Sequence, residues 1–312
     1  MRKGGFVLLS MALLMLAFGS APVAASPQLY AAQGNQPGFS TTTPLYILDP
    51  NTGAILQTLG DTGETITGLD FHPLTRELYG TTTHSSPGNP DSLVKIDPLT
   101  GASTLIGPNG FNRPIVDITF ASNGTLYGWM ETTSGGAGNL VTIDLTTGAA
   151  TKIGDYAGTY GGSYGNALDF APDGKLYLFG AELGGVGYPA VVEIDPATGL
   201  RKSGSIIVAF SNFPADYVYR MNAGSHNSSG VLYAFLGEPD RDPRYLVTLN
   251  TTTGLITTQG AIYASELASP SALAWSIDRT PGVPALGTWG LLAFCLLLLG
   301  SAILVMRRRT AE

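Results

Sequence analysis

A Leu-Tyr pair recurs five times along this chain, at Leu29-Tyr30, Leu78-Tyr79, Leu126-Tyr127, Leu176-Tyr177 and Leu232-Tyr233. A turn sequence follows each: Asp49-Pro-Asn-Thr-Gly53, Asp97-Pro-Leu-Thr-Gly101, Asp144-Leu-Thr-Thr-Gly148, Asp195-Pro-Ala-Thr-Gly199 and the variant Asn250-Thr-Thr-Thr-Gly254. Successive pairs are 49, 48, 50 and 56 residues apart. Self-similarity at this period predicts a β-propeller, with one small antiparallel sheet per repeat. A two-sheet sandwich could use the same strands, but it leaves the period unexplained.

One repeat reads as four strands. In the copy from Gly68 to Gly107, Leu69–Phe71 is a short strand and His72–Glu77 a turn. Leu78–Thr83, Ser92–Ile96 and Ala102–Ile106 follow as alternating apolar segments. In the turn, Pro presets φ, Asp caps nearby backbone N–H groups and Gly supplies positive φ. Asp49, Asp97, Asp144 and Asp195 therefore read as turn-makers.

Inner strands are expected near Ile66–Phe71, Ile115–Phe120, Ala167–Phe170, Met221–His226 and Ala272–Ile277. Leu29 has no inner strand before it, and Leu273-Ala-Trp275 has no outer strands after it. Joining these leftovers makes a composite blade from Leu29–Gln33 and Ala272–Ile277, and gives five blades. The body thus reads as an all-β, five-bladed β-propeller, closed so that no sheet edge stays open.

The ends predict an address. Residues 1–25 look like a signal peptide: Arg2 and Lys3, an apolar stretch from Phe6 to Phe18, and Val23-Ala-Ala25 before Ser26. An uncleaved anchor is the alternative. At the other end an apolar segment from Leu286 to Met306 spans 21 residues, ahead of Arg307-Arg-Arg309. At 1.5 Å per residue it is long enough to cross a bilayer core of about 30 Å. The arginines should stay cytoplasmic, leaving the propeller outside. The expected division is signal 1–25, propeller 26–280, and a C-terminal sorting segment with a transmembrane helix over 281–312.

Val283, Pro284, Leu286, Trp289 and Gly290, followed by the apolar helix and Arg307, Arg308 and Arg309, resemble the IPTL-CTERM class of bacterial sorting signals. Ala285 and Gly287 stand where that motif usually has Thr and Ser. The class is related to the PEP-CTERM signals of Gram-negative bacteria. The resemblance covers about thirty residues and implies an exosortase-like protease as partner, with delivery to the cell surface or matrix. A plain C-terminal anchor is the alternative.

Cys295, the only cysteine, lies within the apolar tail, so the propeller has neither disulfides nor thiolate metal ligands. Of the 16 basic and 23 acidic residues, Arg2, Lys3, Arg307, Arg308, Arg309 and Glu312 lie outside 26–285. That leaves 11 and 22 within it, a net charge of −11. Such a balance argues against nucleic acid or anionic lipid as partner.

Chain direction puts the turns from strand one to two, and three to four, on one face of a propeller. Those turns are short and uniform. The opposite face carries loops that differ at each copy and are rich in Tyr, Asn and Gly, which suit adaptable recognition. Candidate ligand-binding residues there are Phe111, Arg113, Tyr156, Tyr160, Tyr164, Asn166, Phe213, Tyr217 and Tyr263. Each ring taken alone reads as a plug between blades, while the face as a whole reads as a recognition surface.

Chemistry is the minority reading. Asp70, Asp117 and Asp169 lie on successive inner strands, and a carboxylate pair is the minimum for glycoside hydrolysis. Asp70 and Asp169, however, share one repeat-equivalent position before a Phe, which favours a structural hydrogen bond. His72, His84 and His226 show no metal-ligand spacing. Gly158–Gly165 lacks the Gly-Lys-Ser/Thr of a phosphate loop, and nothing calls for a cofactor. The reading is a non-catalytic exported recognition or scaffold protein that binds polysaccharide or a surface protein. A secreted glycosidase is the alternative.

Overall fold

The computed structural model describes residues 26–34, 42–130, 138–154, 167–179, 190–202, 206–207, 220–237, 243–263, 267 and 270–276. Residues Gln28–Ile277 form one compact unit. It contains five four-stranded antiparallel sheets. The first joins β20 (Pro270–Trp275) to β1 (Leu29–Gln33), β2 (Pro44–Leu48) and β3 (Ile55–Asp61). The second is β4 (Ile66–Phe71), β5 (Leu78–Thr82), β6 (Ser92–Ile96) and β7 (Ser103–Pro108). The third is β8 (Ile115–Phe120), β9 (Leu126–Met130), β10 (Asn139–Ile143) and β11 (Ala150–Ile153). The fourth is β12 (Ala167–Phe170), β13 (Leu176–Phe179), β14 (Ala190–Ile194) and β15 (Ile206–Ile207). The fifth is β16 (Arg220–His226), β17 (Leu232–Gly237), β18 (Arg244–Leu249) and β19 (Ile256–Ile262).

The inner strands touch in a ring, β4 to β8 to β12 to β16 to β20 and back to β4. This is the five-bladed propeller expected from the period. The closing sheet is composite: Leu29 pairs with Trp275 and Ala31 with Leu273. Its inner strand starts two residues earlier than the sequence suggested, at Pro270, and ends at Trp275.

The repeated residues hold blade to blade. Every Leu of the Leu-Tyr pairs is at most 1 % exposed, a burial worth about 1.5–3 kcal/mol each. The Tyr faces the other way in strand alternation and meets the last inner-strand ring of the next blade. Tyr30 packs edge-on against Phe71 at 5.2 Å, Tyr79 against Phe120 at 5.4 Å, Tyr127 against Phe170 at 5.3 Å, and Tyr233 against Trp275 at 5.1 Å. At the fourth junction Tyr177 lies tilted against His226 at 5.9 Å.

The Thr-Gly turns are a second joint. Oδ1 of Asp49, Asp97, Asp144 and Asp195 accepts the N–H two residues on, at 2.8–2.9 Å. The closing glycines, Gly53, Gly101, Gly148, Gly199 and Gly254, have φ between +70° and +79°. The turn then presses its backbone onto a strand-four glycine of the preceding blade. A Cβ on Gly60 would lie 2.2 Å from the Thr100 carbonyl oxygen, and on Gly107 2.1 Å from that of Thr147. On Gly154 it would lie 2.3 Å from the Thr198 oxygen, and on Gly260 1.7 Å from that of Thr52. Two sets of repeated glycines thus meet at these junctions, because no side chain fits there.

Among the described residues no helix is long and apolar enough to cross a membrane. The expected signal peptide, the helix over 286–306 and the sorting residues Val283, Pro284, Leu286, Trp289, Gly290, Arg307, Arg308 and Arg309 lie outside the described residues.

Candidate functional site

Each inner strand ends in a large ring preceded by a small polar or apolar residue: Asp70-Phe71, Thr119-Phe120, Asp169-Phe170, Ser225-His226 and Ala274-Trp275. Because the strands run alongside one another at the axis, the first residue of each couple can reach the next blade's backbone. Asp70 Oδ2 accepts the Phe120 N–H at 2.7 Å, and Thr119 Oγ1 accepts that of Phe170 at 3.1 Å. Asp169 Oδ2 accepts the His226 N–H at 2.5 Å, and Ser225 Oγ that of Trp275 at 3.2 Å. Ala274 has no acceptor to offer Phe71, whose N–H goes to Asp70 Oδ1 at 2.7 Å.

A second layer lies one step deeper. Asp117 Oδ2 accepts the Leu168 N–H at 2.8 Å, and its Oδ1 accepts that of Ile118 at 2.9 Å. The hydroxyls of Thr67 and Ser271 donate to the carbonyls of Ile115 and Ile66, each at 2.9 Å. Asp169 Oδ1 receives the Thr119 hydroxyl at 3.0 Å, and its Oδ2 also pairs with His226 Nδ1 at 2.7 Å. The structure therefore brings Asp70, Asp117 and Asp169 together near the axis, and all six carboxylate oxygens have donors.

Burial pushes the Asp70 carboxyl well above the ordinary carboxylate range, and the nearby charge of Asp169 adds to the shift. The Asp117 carboxyl is also pushed well up by burial, while the amides of Leu168 and Ile118 pull back against it. Such shifts mark active sites often, but they also mark buried structural acids. Here every one of these carboxylate oxygens already accepts a hydrogen bond. A carboxylate that turned toward a substrate would release a neighbouring blade's N–H into a buried site, at a cost of about 1–3 kcal/mol.

Above this layer the strand ends surround an axial cup of about 330 Å³ to which all five blades contribute. Asp70, Thr119, Asp169 and Ser225 line its floor, Phe170 and Trp275 its walls. Its mouth is set by the uniform turns, including Pro73, Ser122, Pro172 and Ser228. The cup is thus at the opposite end of the inner strands from the loops singled out in the sequence.

On that other face Phe111 and Arg113 sit in the connection from β7 to β8, and Tyr263 follows β19. Phe111 is 39 % and Tyr263 50 % exposed. The Asn109 side chain shapes the first loop, accepting the Phe111 N–H at 2.8 Å and donating to the Arg113 carbonyl at 2.6 Å. These residues belong to different blade junctions, and the structure does not gather them into one site. Tyr156, Tyr160, Tyr164, Asn166, Phe213 and Tyr217 lie outside the described residues. One variable loop, 83–91, is described, and buried Glu64 organises it by accepting from Ser86 Oγ and from the Asn89 backbone and side chain.

The histidines are apart. His72 Nδ1 accepts two turn amides, Leu74 and Thr75, each at 3.1 Å; His84 pairs with Asp91 at 2.6 Å; His226 is held by Asp169. Among the described residues no group of three or more His, Cys, Asp or Glu is arranged to hold a metal ion. Sequence reasoning missed Thr119, Ser225, His226 and Trp275 as one ring with Asp70 and Asp169. Their signal was present: each occupies one of the two last positions of an inner strand.

No family model and no curated protein matches the chain. Solved structures match the chain at low identity and with TM-scores below 0.5. TolB from Acinetobacter baumannii is 15 % identical with a TM-score of 0.45, over 80 % of this chain and 57 % of TolB, so the chain spans little more than half of that protein. The periplasmic gluconolactonase PpgL of Pseudomonas aeruginosa is 13 % identical with a TM-score of 0.48, over 81 % of this chain and 99 % of that one. The calcium-binding regucalcin of Agrobacterium tumefaciens is 16 % identical with a TM-score of 0.41, over 73 % of each chain.

Proposed function

We propose that this propeller is a non-catalytic recognition protein, exported and displayed outside the cytoplasmic membrane, that binds extracellular polysaccharide. The observation that carries the reading is the engagement of the axial acids. Asp70, Asp117 and Asp169 are the residues a glycosidase of this fold would need, and each is occupied in pinning one inner strand to the next. A general acid and base must be free to exchange protons with substrate. The raised Asp70 and Asp117 carboxyls are what favour the second reading, a glycosidase.

Export and anchoring belong to the same proposal, motivated by the signal-like residues 1–25 and the tail that resembles an IPTL-CTERM signal. Protease added to spheroplasts should digest the propeller; full protection would show the orientation to be wrong. Replacing Pro284 or Trp289 should leave an uncleaved form in the membrane. Processing that continues unaltered would reduce the tail to a plain anchor.

Screening the purified protein on a glycan array and against chromogenic glycosides separates the two readings. Binding that weakens on Tyr160→Ala and Tyr164→Ala, without turnover, is the expected result. Turnover lost on Asp169→Asn, with the fold intact, would establish the glycosidase. Silence on both would replace the polysaccharide with a surface protein as partner.

A further inference from the structure

The axial cup has a composition that the recognition loops do not explain. Its charged lining is Asp70 and Asp169, with no Lys or Arg among the lining residues. Asp70 keeps partial exposure although its oxygens pin Phe71 and Phe120. Phe170 and Trp275 are also partly exposed and offer ring surface at the wall.

These features select a ligand class. An anion would meet two carboxylates and no compensating cation. A wholly apolar ligand would dehydrate those carboxylates. A sugar ring presents an apolar face for Phe170 and Trp275, and hydroxyls that both donate and accept. A protonated amine on that ring would favour the ionised form of Asp70, which burial and Asp169 oppose, with cation–π attraction from the walls. The cup volume, about 330 Å³, is at the small end of the roughly 300–1,000 Å³ of small-ligand sites.

We propose that the axial cup, lined by Asp70, Asp169, Phe170, His226 and Trp275, is a subsite for one amino-sugar unit, its ammonium facing the Asp70 side of the floor. This rests on the polysaccharide reading above and narrows it to a cationic, amine-bearing polymer that reaches the cup in addition to the tyrosine-rich loops.

The test is calorimetric titration of the full-length protein in detergent with glucosamine, N-acetylglucosamine and glucose. Glucosamine should bind at least tenfold more tightly than either of the others. Ser122 is exposed at the rim. Ser122→Lys should therefore place a competing ammonium at the mouth and weaken glucosamine at least tenfold while the melting temperature stays unchanged. Ser122→Gln, of similar length and no charge, should bind as the parent does. Equal or tighter binding of N-acetylglucosamine, or indifference to Ser122→Lys, overturns the proposal. Polysaccharide bound on the array with no monosaccharide in the cup overturns this inference and leaves the function reading standing. Glucosamine bound in the cup with no polysaccharide retained does the reverse.

Discussion

Gly260→Ala isolates the joint on which closure of the ring depends. Gly260 lies in β19 of the fifth blade, and the carbonyl facing it belongs to Thr52 in the turn of the first. An added Cβ would stand 1.7 Å from that oxygen and 2.5 Å from its carbon. Contact distances of roughly 3.5 Å require the two blades to part by about 2 Å. Backbone, not a flexible side chain, must move. Overpacking of this kind typically costs 1–3 kcal/mol, occasionally more, and the clash places Gly260 at the upper end, about 3 kcal/mol. In a domain of this size each kcal/mol lowers the melting temperature by roughly 2–4 °C, so the loss should be about 6–12 °C. Gly224→Ala is the control, since its Cβ would find only ordinary contacts, the nearest at 3.5 Å. Differential scanning calorimetry of the two variants decides the matter. A Gly260→Ala protein that melts with the parent would refute the account of the Thr-Gly turns as inter-blade joints.

Thr119→Val should remove both the acceptor for the Phe170 N–H and the donor to Asp169 Oδ1; a loss of about 1–3 kcal/mol in urea unfolding is expected, and no loss would show that the pin carries nothing. Asp117 has a folded pKa raised above its unfolded value of about 3.9, so its ionisation opposes folding and the contribution of its protonated form is lost as pH rises through the folded value. The melting temperature of Asp117→Asn relative to the parent should therefore rise between about pH 4 and pH 7, and a flat or falling difference would contradict burial as the cause. Ending the chain before Pro270 should leave β1 as an open edge in the first blade; association on gel filtration is expected, whereas a monomer melting like the parent would contradict the composite closure.

Much of the fold was legible because its joints repeat. The Leu-Tyr pairs and Asp-x-x-Thr-Gly turns recur at a period near fifty residues, and all five pairs and four of the turns are contacts between neighbouring blades. The unpaired strands at Leu29 and Leu273 pointed to each other because every other copy was complete. Asp70 and Asp169 could be read as structural from their shared register alone. The axial cup was not legible in the same way. It is built from the strand ends of five repeats some fifty positions apart, and their residue types differ too much, Thr119, His226 and Trp275 among them, for the shared position alone to announce a site. Weight given to the loops that vary drew attention to Phe111, Arg113 and Tyr263, which the structure places at separate junctions. His226 shows the difficulty well: in the sequence it is a lost Phe, whereas in the fold its ring keeps the place against Tyr177 and adds a bond to Asp169.

In the proposed function the axial acids hold the ring closed and transform nothing. This claim is tested most directly by incubating the polysaccharide retained on the array with the full-length protein and with Asp169→Asn, and measuring new reducing ends over time. The account predicts none from either protein, with the polymer recovered at its original length. Reducing ends that accumulate with the parent and vanish with an Asp169→Asn protein of unchanged circular dichroism would contradict it.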